Sequence, residues 1–304
     1  MQKLRNCLWF DGNAIKAAEM YVRLFGGNSK IVAVTHYDEA TSKAAGMPVG
    51  DVLTVDLLLA GLPFLILNGG PMFQPTPAVS YAVHCDDDAE IERLYAALSK
   101  DGLVLMELQK YELIPGEKYA WVNDEYGVSW QLIHNKGMCG ARQKIVPCLL
   151  FTRTQAGRAS EAINFYTKVF SDGTILKIEK YAAGEDQPEG HVKHAVFTIS
   201  DTDMVAMDNE SGHNFGFTPG NSFIIMCDSQ DMVDRYWDAL TADGGQAGHC
   251  GWLTDKFGNS WQVVPEVIID LMVHGDKEKY KNVNAAMMQM KKLDIAALQK
   301  AYTG

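Results

Sequence analysis

Two stretches of this 304-residue chain begin and end alike. Cys7-Leu-Trp-Phe10 opens the first half and Cys148-Leu-Leu-Phe151 opens the second. Asp124-Glu-Tyr-Gly-Val-Ser-Trp-Gln131 closes the first, and Asp255-Lys-Phe-Gly-Asn-Ser-Trp-Gln262 closes the second. A duplication limits the available architectures more than any single residue does, because both halves must fold as the same unit. It also sorts residues. One kept in both copies serves the fold first, and a polar residue found in one copy alone is a candidate for something specific. The length fits two domains of about 150 residues each.

Each copy reads in the same order. A short apolar strand (4–10 or 145–151) precedes a helix (14–25 or 159–170). Ile15, Ala18, Val22 and Phe25 recur at helical spacing in the first helix, as do Ala162, Phe165, Val169 and Phe170 in the second. Strand-like segments follow at 29–37, 52–59 and 64–67, matched by 174–181, 194–200 and 204–207. Polar loops at 38–50 and 182–190 separate the first two of each set. The pattern then restarts with strands at 80–85 and 222–227 and helices at 89–100 and 231–242. Closing hairpins use Gly127 and Gly258 for the positive φ of their turns.

This order gives four βαβββ units. Such a unit buries one sheet face on its own helix, so pairing the two units of a copy would turn the free faces towards a shared cleft. The expected fold class is α+β, with tandem domains at 1–136 and 145–266 and a glycine-containing linker at 136–144. A helical tail at 267–304 has no counterpart in the first copy. Ala285, Met288, Ile295 and Leu298 are its expected packing positions, and Asp294 is its expected N-cap. Such an arm would pack on the second domain or on another copy of the chain, as in a homodimer.

Composition narrows the function. At 47% hydrophobic and 21% charged residues, each half can bury a core. A net charge of -11 without a Lys/Arg cluster argues against binding nucleic acid or an anionic membrane. No stretch approaches the ~20 apolar residues of a membrane helix. The N-terminus has no apolar signal region. Six cysteines form no CxxC pair, and Cys7/Cys148 and Cys85/Cys227 recur inside apolar runs, where cysteine is a small buried hydrophobe. The expectation is a soluble cytoplasmic protein.

The doubled strand-helix-strands order, with Phe10-Asp11-Gly12-Asn13 and then Tyr21 and Phe25, resembles the vicinal-oxygen-chelate (glyoxalase/bleomycin-resistance) superfamily. Thr76-Pro-Ala-Val-Ser80, Thr218-Pro-Gly-Asn-Ser222 and the Ser-Trp-Gln endings look like its PhnB-like branch, whose members are often labelled demethylubiquinone 3-methyltransferase-like. The resemblance runs from about residue 4 to 265. The methyltransferase label finds no support in the residues. Gly69-Gly70-Pro71 follows a strand but opens no helix, so the Gly-rich turn that such a site on an open α/β sheet would need is missing.

The resemblance implies a divalent metal as cofactor, held by His and Glu and polarising vicinal oxygens of a substrate. Carried over, the last-strand carboxylate falls on Gln131 and Gln262. The first-strand ligand falls near Asn6-Cys7 and Pro147-Cys148, and the third near Val79-Ser80 and Asn221-Ser222. A carboxamide brings no charge to a divalent ion. The triad therefore looks degraded in both copies, and Cys148, His194 and Gln262 remain as secondary metal candidates. His194 is matched with Leu53 of the first copy. It reads either as a ligand or general base or as a strand-end histidine; His213, Asn209 and Glu210 are its candidate neighbours. Trp121 and Trp252 recur at the hairpins, where a tryptophan is core packing before it is a pocket wall. Met106, Tyr111 and Tyr119 could extend such a wall.

Three functions follow. The first is binding of a small organic molecule in a cleft, with Trp121, Gln131, His194, Ser222, Trp252 and Gln262 as candidate contacts. The second is a metal-dependent lyase, isomerase or dioxygenase with an atypical ligand set. The third is a scaffold or dimerisation role. If one cleft keeps a chemistry of its own, the second copy is the better place for it.

Overall fold

The computed structural model describes residues 3–112, 117–134 and 142–304. Most of the expected linker, with Cys139, lies outside the described residues. The first unit contains β1 (Leu4–Phe10), α1 (Ala14–Phe25), β2 (Lys30–His36), α2 (Glu39–Ala45), β3 (Val52–Leu59) and β4 (Leu62–Asn68). The second contains β5 (Val79–Cys85), α3 (Asp88–Leu98), β6 (Leu103–Gln109), β7 (Lys118–Asn123) and β8 (Ser129–His134). The second copy repeats this. Its first unit is β9 (Ile145–Phe151), α4 (Ala159–Val169), β10 (Thr174–Lys180), β11 (Val192–Ile199) and β12 (Thr202–Asp208). Its second is β13 (Asn221–Cys227), α5 (Gln230–Thr241), β14 (Gln246–Ala247), β15 (Trp252–Thr254) and β16 (Ser260–Pro265). The tail supplies α6 (Glu266–His274), α7 (Lys277–Met287) and α8 (Ile295–Thr303). The α+β tandem architecture and the helical tail are as the sequence predicts.

α2 is an addition, inside a segment that reads as a loop. It forms because Asp38 caps it, accepting from the Thr41 amide at 2.8 Å while Thr41 Oγ1 accepts from the Asp38 amide at 3.0 Å. Both bonds satisfy donors that a short helix would otherwise leave open.

The two units of one copy pack through their helical faces. In α1 the buried side chains are Ala14, Ala17, Ala18 and Tyr21, while Ile15, Val22 and Phe25 are only partly buried. Three alanines let the helix lie close to its sheet, and Tyr21 reaches the other unit. Its hydroxyl donates to Asp124 at 2.7 Å, and the indole of fully buried Trp130 donates to the same carboxylate at 2.8 Å. Tyr166, Trp261 and Asp255 repeat this knot. Burial pushes the Asp124 carboxyl up to about 6, against the pull of these donors.

The open faces assemble differently from the expectation. Sheet A has the strand order β14-β15-β16-β13-β1-β4-β3-β2, and sheet B has β10-β11-β12-β9-β5-β8-β7-β6. Each eight-stranded sheet therefore joins the first unit of one copy to the second unit of the other. The seams are antiparallel: Cys7 stands opposite Ser222 in β1–β13, and Ser80 opposite Cys148 in β5–β9. Among the described residues, the face of each sheet is therefore shared by both copies. Helical packing satisfies a unit within its own copy, while its first strand still has a free edge, and the other copy supplies the strand that completes it.

The tail belongs to sheet A. Ile269 of α6 packs on a cluster of Cys7, Ile224, Met226, Leu65, Leu67 and Val264. α7 reaches α2, where Asn284 donates to Asp38 at 2.9 Å. The chain then returns past β15, whose leading amides Cys250 and Gly251 donate to the carbonyls of Met290 and Lys291 at 2.8 Å. Asp294 caps α8 as expected, accepting from Ala297 at 2.8 Å. Leu298 is buried; Ala285 is exposed, and Val283 takes the packing role instead. Among the described residues no helix is long and apolar enough to cross a membrane.

Candidate functional site

Strand alternation decides which residues line each concave face. Trp261 enters the core, so Ser260 and Gln262 face the concave side of sheet A; Trp130 likewise turns Ser129 and Gln131 to that of sheet B. The candidate residues thus divide. Ser222, Trp252 and Gln262 lie on sheet A, and Trp121, Gln131 and His194 lie on sheet B. Cys148 and His194 are on a different sheet from Gln262, so those three cannot form one metal site.

The carried-over ligand positions do converge, crosswise. On sheet A, Gln262 donates to Ser222 at 3.0 Å, and both hydrogen-bond the Cys7 side chain. On sheet B, Gln131 donates to Ser80 at 2.7 Å, with Ser80 opposite Cys148. Burial pushes the Cys7 thiol up to about 11 and the Cys148 thiol up to about 12. A protonated thiol, a hydroxyl and a carboxamide offer a divalent cation no negative charge, so neither set fits the metal that the resemblance implies. Among the described residues, no three His, Cys, Asp or Glu side chains are grouped to hold an ion.

Sheet B pairs the polar groups around Gln131 with one another. The Tyr119 hydroxyl donates to Gln131 at 2.9 Å, and the Trp121 indole donates to Ser129 at 2.8 Å. Tyr111 meets the Tyr119 ring edge-on at 6.0 Å. The floor is apolar, formed by Ala82, Val146, Cys148, Val196 and Val205. His194 stands opposite Glu179 and feels His84, a residue that periodicity alone does not single out. Burial lowers the pKa of both imidazoles. The first-copy equivalent of His194 is Thr54, not Leu53. Counted back from the paired residues Leu59–Leu62 and Ile199–Thr202, Thr54 and His194 hold the same place. A one-residue slip would put them on opposite faces. Of the proposed neighbours, Glu210 lies 3.8 Å from His191, and His213 packs on Phe215 at 4.7 Å between centroids.

Sheet A is built otherwise. Arg5 and Asp56 form an ion pair on its face, at the positions that Val146 and Val196 occupy in sheet B. Trp9, which replaces Leu150, meets Trp252 edge-on at 5.9 Å and Phe73 at 5.0 Å. Its indole donates to the Gly70 carbonyl at 2.7 Å. A Cβ on Gly69 would come within 2.2 Å of that ring, so Gly69-Gly70 admit a tryptophan rather than cradle a phosphate. Because Trp252 turns to Trp9, Ser260 keeps no bond of the kind that Ser129 makes. Ser260 Oγ and Arg5 Nε are both buried without a hydrogen-bond partner.

The sequence profile of the 3-demethylubiquinone-9 3-methyltransferase family matches the chain twice, over residues 2–133 and 143–264. A PhnB protein from Bacillus cereus is 36% identical over 44% of this chain and 99% of its own, with a TM-score of 0.39. Glyoxalase I from Zea mays is 13% identical over 89% of this chain and 95% of its own, with a TM-score of 0.58, a likeness of fold alone. No curated protein matches the chain.

Proposed function

The chain belongs to the 3-demethylubiquinone-9 3-methyltransferase family, as a tandem PhnB-like protein of vicinal-oxygen-chelate fold, and from that premise we propose that it binds a small organic molecule on sheet A. The observation that carries this reading is the pair of unsatisfied polar atoms, Arg5 Nε and Ser260 Oγ, on the face that also bears Trp9 and Trp252. Buried polar groups are nearly always paired, and an unpaired donor and hydroxyl on a concave face suit a ligand with its own acceptors. The two indoles would hold an unsaturated body. Gln262 and Ser222 on the floor would orient its polar end, and the tail would limit its exchange. Sheet B, whose Gln131, Ser80 and Tyr119 are bonded together as are its Trp121 and Ser129, serves the fold.

The family description names methyl transfer. Filling of the Gly69 turn by Trp9 favours binding over that activity, since a methyl-donor nucleoside held on a Gly-rich turn would need the same backbone. The test is titration with 8-anilinonaphthalene-1-sulfonate, whose fused rings suit the indole pair and whose sulfonate suits Arg5. Trp252→Ala should weaken binding about tenfold or more, the loss of one well-placed aromatic contact. Trp121→Ala should leave it unchanged. Equal effects of the two substitutions would refute the assignment to sheet A.

A further inference from the structure

A cavity of about 440 Å³ opens beside the end of β1, away from the Gln262–Ser222 floor. Phe10, Phe73 and Tyr126 give it aromatic walls, and Asp11 and Glu125 bring carboxylates. Among the described residues no lysine or arginine lines it. Asn123 also lines it, and its Oδ1 is a buried acceptor without a hydrogen-bond partner. Arg23 is close enough to Tyr126 to influence its hydroxyl, yet it does not reach the cavity wall.

The duplication shows what this niche takes. The helix-opening amides of Ala14 and Ala159 donate to Asn68 and Asp208 at 3.0 Å, which aligns Asn13 with Arg158. The turn motifs align Tyr126 with Phe257 and Glu125 with Lys256. In the second copy the Arg158 guanidinium lies 4.6 Å over the Phe257 ring and donates to the Lys256 carbonyl at 3.0 Å. Phe217, in the place of Pro75, packs on Phe151 at 5.1 Å and helps close the space. The second copy therefore fills its niche with a cation of its own. In the first copy the arginine is Asn13 and the neighbouring lysine is Glu125, and the niche is open.

We propose that the first-copy cavity is a binding site for a small organic cation, a guanidinium or an alkylammonium on a compact apolar body. The charge sits over Tyr126, as Arg158 sits over Phe257, and its N–H groups meet Asn123 Oδ1 and the Glu125 carboxylate. Ring faces attract such cations through their quadrupole, and nearby carboxylates add to the pull. This site is separate from the one proposed on sheet A, although Trp9 borders both.

The test uses phenylguanidinium and the uncharged phenylurea of the same shape, titrated into the full chain by calorimetry. One saturable phenylguanidinium site is expected, with phenylurea weaker by about tenfold or more. Asn13→Arg, which copies the second-copy cation, should abolish binding in a folded chain. Glu125→Lys, on an exposed turn, should weaken it by about tenfold, the loss of an attractive charge beside the site. Trp252→Ala should leave it intact, which separates this site from the sheet A reading. Absence of a saturable site, equal affinity for phenylurea, or binding indifferent to both Asn13→Arg and Glu125→Lys would overturn the proposal. If Asn13→Arg fails to fold, Glu125→Lys decides alone.

Discussion

Sheets A and B are made from the same two units in the same order, and the cores that the two copies form between them are nearly interchangeable. Trp130 and Trp261, Tyr21 and Tyr166, and Asp124 and Asp255 superpose in role down to the hydrogen bonds they make. Their concave faces share the glutamine, the serines, the cysteine and the hairpin tryptophan, and differ at many other positions. Sheet A carries Arg5, Asp56 and Trp9 where sheet B carries Val146, Val196 and Leu150, and sheet B carries His84 and His194 where sheet A carries Met226 and Thr54. The buried side of each sheet is fixed by packing, which tolerates little change. The concave side is fixed only by what it meets. On sheet A that is the tail and, as proposed, a ligand.

Three experiments would break or sharpen this contrast. The largest effect is expected in the shared core. Trp130→Ala and Trp261→Ala should each cost about 3–5 kcal/mol in chemical denaturation, as deletion of a buried aromatic does. A clear inequality between them would mean that the two cores are not equivalent.

The next effect tests the faces. Asp56→Val alone strands the Arg5 charge, whose side chain is only 11% exposed, and should cost about 3 kcal/mol. Arg5→Val with Asp56→Val copies sheet B and should recover most of that loss, since paired valines need no compensation. If the double variant were as unstable as the single one, the ion pair would hold sheet A together in a way that sheet B does not require.

The smallest effect is pH dependence on sheet B. Burial lowers the folded pKa of His84 and His194, so their contribution to stability is present above the ordinary histidine value and is lost as pH falls through the folded values. Lys144 and Lys177 add to the lowering, and Glu179 opposes it at His194. The melting temperature should therefore fall on acidification below about pH 6.5. His84→Met with His194→Thr, the sheet A residues, should flatten that slope. An unchanged slope would place the acid-sensitive groups elsewhere.

Much of this was legible in the chain. The hairpin glycines, the paired tryptophans and the four-unit order follow from local pattern. Gly127 and Gly258 sit at φ of 83° and 88° because a turn of that kind needs them. Helical spacing finds the apolar positions of α1, among them Phe25, which packs 5.2 Å from Trp130, but not the bond from Tyr21 to Asp124 of the second unit. His84 is not legible in the pattern because its relation to His194 depends on strands far apart in sequence. The equivalence of His194 with Thr54 needed the strand register, which apolar runs define only to within a residue.

The sequence by itself determined that the chain is a doubled βαβββ pair, because repeats and periodicity are local properties that every copy must satisfy alone. Its resemblance to the family implied also that Cys7, Cys148, Gln131 and Gln262 stand where relatives would place metal ligands. Only the tertiary structure decided that Cys7 meets Gln262 and that Cys148 lies with Gln131. Either pairing of the copies would satisfy the same alternation of apolar residues. The choice between them rests on which free strand edges meet, and those edges offer only backbone hydrogen bonds, which are the same for every sequence.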